Sequence, residues 1–255
     1  MKKTSGIIIG LIGLLSSAQS FALSIGVTAG PHAVIMEEVK KEYAKKGFTL
    51  KIIEFNDFIL PNAALSQGDI DANSYQHQPF LDEQVKSRGY KIISAAKTIV
   101  LPLGIYSSRH KSLDLIPTGA KIAIPNDPTN GGRALLLLKK AGLLELKQQG
   151  NPSILDITQN PKKLKIVEIE APQLPRTLND VDFSVINTDW VLVAGLDPSK
   201  AVYREGVDSP YANIIVIRKG DETRADIQAL LAVYKSKHIR EFILKYYRGA
   251  VLPAW

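Results

Sequence analysis

The sequence predicts an α/β protein built as two lobes, each a small sheet of short strands covered by helices. Three observations predict it. Apolar runs of strand length alternate with amphipathic stretches of helical period along the chain. The alternation lapses after Ser107 and begins again at Lys121, as expected where a second sheet starts. No fixed-period repeat and no low-complexity segment interrupts either half.

Residues 1–22 stand apart from the fold. Lys2 and Lys3, the apolar stretch from Gly6 to Leu15 and the small-x-small triplet Ser20-Phe21-Ala22 read as a secretory signal peptide, whose removal leaves residues 23–255. Leu23 to Val27 then reads as a strand, followed by a turn through His32 and an amphipathic helix from Ala33 to Lys46. Thr49 to Phe55 is the next strand, Pro61 to Ser66 a short helix, Ile70 to Asn73 a strand, and Pro79 to Arg88 a helix stopped by Gly89. Lys91 to Ser107 carries two apolar runs broken by Pro102 and Gly104. In the second half, strands are expected at Lys121 to Ile124, Lys165 to Ile169 and Phe183 to Ile186, with helices at Asn130 to Gly142 and Gln173 to Leu178. Asn213 to Ile217 is the last expected strand. One long helix from Ala225 to Arg248 follows, its apolar residues recurring at three- and four-residue intervals.

Composition excludes several classes of function. There is no cysteine, so disulfides, thiolate metal sites and a lipid-modified cysteine after the leader are all excluded, and a periplasmic or secreted chain without a lipid anchor is expected. The formal charge is +7, two units of which leave with Lys2 and Lys3. Its basic residues are scattered along helix faces without aromatic interleaving, which reads as solvated surface and not as a nucleic-acid site. His32, His77, His110 and His238 lie far apart, with no carboxylate at ligand spacing, so no metal is expected. No Gly-x-Ser-x-Gly and no placed acid–base pair is present, so no catalytic residue, cofactor or enzymatic activity is assigned.

The segment "IPNDPTNGGR" has the outline of an anion-binding turn, with two glycines opening a helix whose first N–H groups attract negative charge. It lacks a phosphate-loop pattern. Arg133, placed by this reading in the first helical turn where the helix dipole disfavours a cation, is better explained if it is aimed at a carboxylate. Phe58, Tyr75, His77 and Phe80 lie close in sequence, and in an extended "NSYQH" Tyr75 and His77 share a face. Taken alone they favour core packing over the wall of an apolar pocket.

The stretches "GVTAGPHAVIMEEV", "EFNDFILPNAALSQGDIDANSYQHQPFLD", "IPNDPTNGGRALLLLKKAGL", "EAPQLPRTLNDVDFSVIN", "DSPYANIIVIR" and "GAVLPAW" together resemble the NlpA lipoprotein family, which includes the methionine-binding proteins of ABC importers. The resemblance implies a type II periplasmic-binding-protein fold: two α/β lobes joined by two crossover strands, with the ligand cleft between them. It divides the chain into residues 23–105 of lobe 1, 106–212 of lobe 2, and 213–255 returning to lobe 1. It implies Arg133 on the ligand carboxylate, and Asn187 and Asn213 on the amino-acid backbone. His77, with Phe58, Tyr75 and Phe80, becomes the apolar wall around a thioether, which overturns the preference for core packing. The implied partners are L-methionine or a related amino acid and an ABC permease in the inner membrane, served by a monomer. Two departures stand out. "TIVLP" places Ile99 and Leu101 where relatives carry aromatics, and the lipobox cysteine is missing. A binding protein for another amino acid or peptide, or an adhesin on the same scaffold, are the alternative readings.

Overall fold

The computed structural model describes residues 22–147, 150–206 and 209–255. All of the expected leader except Ala22 lies outside the described residues. In chain order the first elements are β1 (Leu23–Thr28), α1 (Pro31–Ala44), β2 (Leu50–Phe55), α2 (Leu60–Gln67), β3 (Ala72–His77), α3 (Gln78–Arg88) and β4 (Ile92–Val100). The chain then crosses into β5 (Gly104–Tyr106), β6 (Lys121–Pro125), α4 (Pro128–Lys140), β7 (Glu145–Leu146), β8 (Ile157–Gln159), β9 (Lys165–Ile169), β10 (Phe183–Ile186), α5 (Thr188–Val193) and β11 (Tyr203–Arg204). It returns through β12 (Ala212–Arg218), α6 (Ala225–Tyr234), α7 (Lys237–Tyr247) and β13 (Leu252–Pro253).

Two sheets carry the molecule. The first has the order β13-β4-β12-β3-β1-β2 and the second β11-β5-β10-β6-β9, with β7 and β8 forming a separate pair. Both follow one plan, in which three parallel strands (β2, β1, β3 and β9, β6, β10) are followed by a strand running the other way (β12 and β5). That reversed strand is in each case the one that arrives from the other sheet. The polypeptide therefore passes between sheets twice, at Leu101–Leu103 and between Arg204 and Ala212.

Helices cover the sheets where their apolar spacing demands it. α1 starts at Pro31, whose fixed φ suits a first helical position, after Gly30 at φ 85°, a conformation that L side chains rarely adopt. It buries Ile35, Met36, Val39 and Tyr43 against β1. α4 buries Ala134, Leu135, Leu137 and Leu138 in the second core with Ile122, Phe183 and Val185. Central strands β3, β10 and β1 are buried almost throughout, which is why they read as apolar runs or, in β3, as a polar run whose Asn73, Tyr75, Gln76 and His77 side chains are hydrogen-bonded.

Several expected elements differ. The long C-terminal helix is two helices, α6 and α7, separated at Lys235 and Ser236. Ser236 is extended and its hydroxyl caps α7 at Ile239 N, while the Trp255 indole donates to the Lys235 carbonyl at 2.9 Å. The period of apolar residues continues through the break and so conceals it. The helix expected at Gln173 to Leu178 is a 3-10 helix over Ala171–Asn179, because Pro172 and Pro175 remove backbone donors. The strand expected at Ile70 to Asn73 runs instead from Ala72 to His77, and the nine-residue β4 joins the first apolar run of Lys91 to Ser107 to the start of the second.

Candidate functional site

The carboxyl ends of the parallel strands of both sheets converge on one cavity. Such strand ends, where open α/β sheets leave a crevice, are the usual place for a ligand in this architecture. Phe58, Tyr75, His77 and Phe80 line it from the side of the first sheet. Asn130, Arg133, Asn187 and Asp189 line it from the side of the second. Leu101 lines it from the first passage between the sheets and Asn213 from the start of β12. All seven residues singled out in the sequence thus border the same space.

The first-sheet wall is aromatic and held by hydrogen bonds behind it. Phe58 lies 6.1 Å from Tyr75 and 6.3 Å from Phe80 by ring centroids, and Tyr75 meets Phe80 edge-on at 6.1 Å. The Tyr75 hydroxyl donates to the Phe58 carbonyl at 3.0 Å, fixing the loop that carries Phe58. A buried amide network sits behind the wall: Asn62 donates to Gln76 at 2.8 Å and Gln76 returns the bond at 2.6 Å, tying α2 to β3.

His77 ends β3 and caps α3. Its Nδ1 accepts the Phe80 N–H at 3.2 Å, which places the ring proton on Nε2, where it donates to Asn130 Oδ1 at 3.4 Å. Burial, assisted by the positive charge of Arg133, lowers its pKa to about 3, so the ring is neutral. Register places Asn213 of β12 directly opposite His77 of β3, which no local pattern announced.

The second-sheet wall is polar. Asn187 stands at the N-terminal end of α5 without capping it, and its Nδ2 donates to Asn130 Oδ1 at 2.8 Å, leaving its buried Oδ1 with no hydrogen-bond partner among the described residues. Asn130 donates in turn to both oxygens of Asp127 at 3.0 Å. Arg133 is only 3% exposed. Its Nε and Nη2 meet both oxygens of Glu205, at 2.8 and 2.5 Å, and Nη2 also donates to the Leu101 carbonyl at 3.0 Å. The Tyr211 ring covers its guanidinium carbon at 4.3 Å from the centroid. Glu205 further accepts the Leu103 N–H at 2.9 Å. One arginine therefore clasps both passages between the sheets, with Nη1 left free of these bonds.

Two details of the sequence argument change. α4 begins at Pro128, so Arg133 lies in the second turn, where the dipole argument has little force. The Asp127 carboxylate already occupies the helix N-terminus, accepting the Asn130 N–H at 2.9 Å, so those N–H groups are not the anion's seat. The glycines have a packing reason: a Cβ on Gly131 would sit 2.8 Å from the Pro125 carbonyl, and one on Gly132 2.4 Å from Asn151 Oδ1. Of the two positions at which "TIVLP" departs, Ile99 is fully buried in the first core and is not among the residues lining this cavity, whereas Leu101 lines it.

Sequence reasoning missed Asn130, Asp189, Glu205, Trp190 and Tyr211. Asn130 and Tyr211 stood inside quoted motifs. Trp190 packs on Phe58 at 5.5 Å from the opposite wall and Tyr211 on His77 at 5.0 Å, both contacts between residues far apart in the chain.

Two lobes of one topology, meeting over a buried cavity with an aromatic wall, neutral amides and a clamped arginine, define a bilobal small-molecule-binding protein of the periplasmic-binding type. The chain belongs to the NlpA lipoprotein family, whose model matches residues 23–255. The D-methionine-binding lipoprotein MetQ of Salmonella typhi is 43% identical over 260 residues, 98% of this chain and 96% of the relative. A nutrient binding protein from Burkholderia cenocepacia, solved bound to methionine, superposes with a TM-score of 0.90 at 48% identity, over 92% of this chain and 100% of that one. The crystal structure of the methionine binding protein MetQ superposes with a TM-score of 0.88 at 43% identity, over 92% and 98%.

The family corrects the expected location. A periplasmic or secreted chain with no lipid anchor does not agree with relatives that are named lipoproteins. The expectation rested on one missing residue type. Lack of cysteine removes one thiol chemistry, and it does not decide how a protein is held at a membrane.

Proposed function

We propose that this protein is the substrate-binding component of an ABC importer, capturing methionine between its lobes and delivering it to a membrane permease. The observation that carries the reading is the division of the cavity wall, with aromatics on one side and a buried arginine and amides on the other. A methionine zwitterion has the same division, an apolar thioether at one end and opposite charges at the other. In this reading Arg133 Nη1 takes the carboxylate. The free Oδ1 of Asn187, with Asn213, accepts from the ammonium, and Phe58, Tyr75, His77 and Phe80 enclose the side chain. A neutral His77 suits an uncharged thioether, and sulfur beside aromatic rings gains about 0.3–1.5 kcal/mol per contact.

Buried zwitterions are tolerated only when both ends are satisfied. Because Arg133 and Asn187 belong to one half and Asn213 and the aromatic wall to the other, divided near residues 105 and 212, full satisfaction requires the halves to close. Closure is then the state that a permease reads, and no covalent step is needed. The protein binds and is not an enzyme.

The test is mass spectrometry of small molecules released on denaturing the purified protein, followed by calorimetric titration with L-methionine, leucine and glutamine. Methionine is expected in the released fraction and first in the titration ranking. A different amino acid in both places would overturn the assignment of the ligand.

A further inference from the structure

Among the described residues lining the cavity, Asp189 is the one charged group that the protein leaves without an ion-pair partner. It lies in the first turn of α5, two residues after Asn187, and is 3% exposed. One carboxylate oxygen accepts the Trp190 backbone N–H at 3.0 Å; the other has no protein donor among the described residues. Arg133, the other charged side chain on the wall, is already met on two nitrogens by Glu205. His77 is neutral, and the amides carry no charge. The balance of the cavity is thus one carboxylate in excess, beside the unpartnered Oδ1 of Asn187. An unpaired buried carboxylate is costly, and one held in place beside an unpartnered acceptor is ready to receive a cation.

We propose that Asp189 is the counter-ion of the ligand's α-ammonium, so that this site selects amino acids over the corresponding carboxylic acids by a buried ion pair. The proposal rests on the amino-acid reading above. Burial pushes the Asp189 carboxyl up to about 7, the shift expected of a carboxylate waiting for its cation. A carboxylate accepts more strongly from an ammonium than neutral amides do, which gives Asn187 and Asn213 the role of orienting the ammonium and Asp189 that of holding it.

The experiment compares L-methionine with its desamino counterpart, 4-(methylthio)butanoate, by calorimetry on the wild-type protein and on Asp189→Asn. The isosteric amide is expected to weaken methionine binding by about tenfold or more, the scale of one hydrogen bond to a charged group. The desamino acid should bind both proteins within about twofold, a difference well under 1.4 kcal/mol. Equal weakening of both compounds would make Asp189 a structural residue and overturn the proposal, as would unchanged methionine affinity. A wild-type protein that takes neither compound would overturn the amino-acid reading itself, and this proposal with it.

Discussion

The two lobes share a strand order and differ in nearly everything they present to the cavity. On the first sheet, β3 and the segments beside it offer Phe58, Tyr75, His77 and Phe80, rings braced by amide bonds behind them. On the second, the corresponding strand ends offer Asn130, Arg133, Asn187 and Asp189. Topology places the cavity, and in the function proposed above the side chains at the strand ends decide which end of the ligand each lobe reads. Neither half alone can satisfy a molecule that is apolar at one end and doubly charged at the other.

The largest expected effect breaks the polar half. Arg133→Ala should weaken methionine binding by about 2 kcal/mol or more, since a buried carboxylate loses its cation. Calorimetry showing unchanged affinity would remove the carboxylate assignment. The same change strips Glu205 of its partner and should lower the melting temperature. Adding Glu205→Gln should restore much of that loss in thermal unfolding without restoring affinity, because an unpaired buried charge is gone while the ligand's partner is still missing. If affinity returned together with stability, Arg133 would be a structural clasp alone.

On the aromatic half, His77→Ala should change the ranking of methionine against leucine and glutamine while costing less total affinity than Arg133→Ala. An unaltered ranking would mean that this wall does not set side-chain preference. The smallest effect concerns Leu101, which lines the cavity where the family resemblance implies an aromatic. Leu101→Phe should favour methionine over leucine by a sulfur–aromatic contact of about 0.3–1.5 kcal/mol. Equal gains for both ligands in competition titrations would assign the effect to shape alone.

Acid and base should also separate the lobes. Burial lowers His32 and His77 to about 3, so unfolding exposes groups that take up protons below their ordinary 6.5. Stability from both is present above that value and is lost as pH falls toward about 3. Asp189 acts in the opposite direction: its raised pKa of about 7 means that stability falls as pH climbs from the ordinary carboxylate range through 7. Thermal unfolding should therefore show Asp189→Asn more stable than wild type near pH 8, with the gap closing by about pH 4. His77→Gln should flatten the acid side below about pH 6.5. A gap that did not change with pH would mean that Asp189 is ionised in the folded and unfolded protein alike.

Local chemistry made much of this protein legible in its amino acids. The strand and helix of each βα unit follow from apolar period, and the sharing of a face by Tyr75 and His77 follows from the alternation of an extended chain. What escaped were contacts between distant residues. Arg133 finds Glu205 across 72 positions and Asn187 finds Asn130 across 57. Asn213 meets His77 only because β12 returns antiparallel to β3. The expectation of a chain without a lipid anchor failed for another reason, having been inferred from a residue type that is missing.

Residue types and spacing indicated two α/β lobes, and it was the resemblance to the NlpA family that marked Arg133 and the aromatics as the expected ligand wall. Folding in three dimensions decided which of Arg133's donors Glu205 and Leu101 take up, why Gly131 and Gly132 are glycine, and that Asp189 lines the cavity with no ion-pair partner among the described residues. The physical reason is one of range. Periodicity and capping act within a few residues, and a sequence displays them directly. Ion pairs, strand register and packing join groups that only the closed chain brings together, and their strength depends on burial that no single segment possesses by itself.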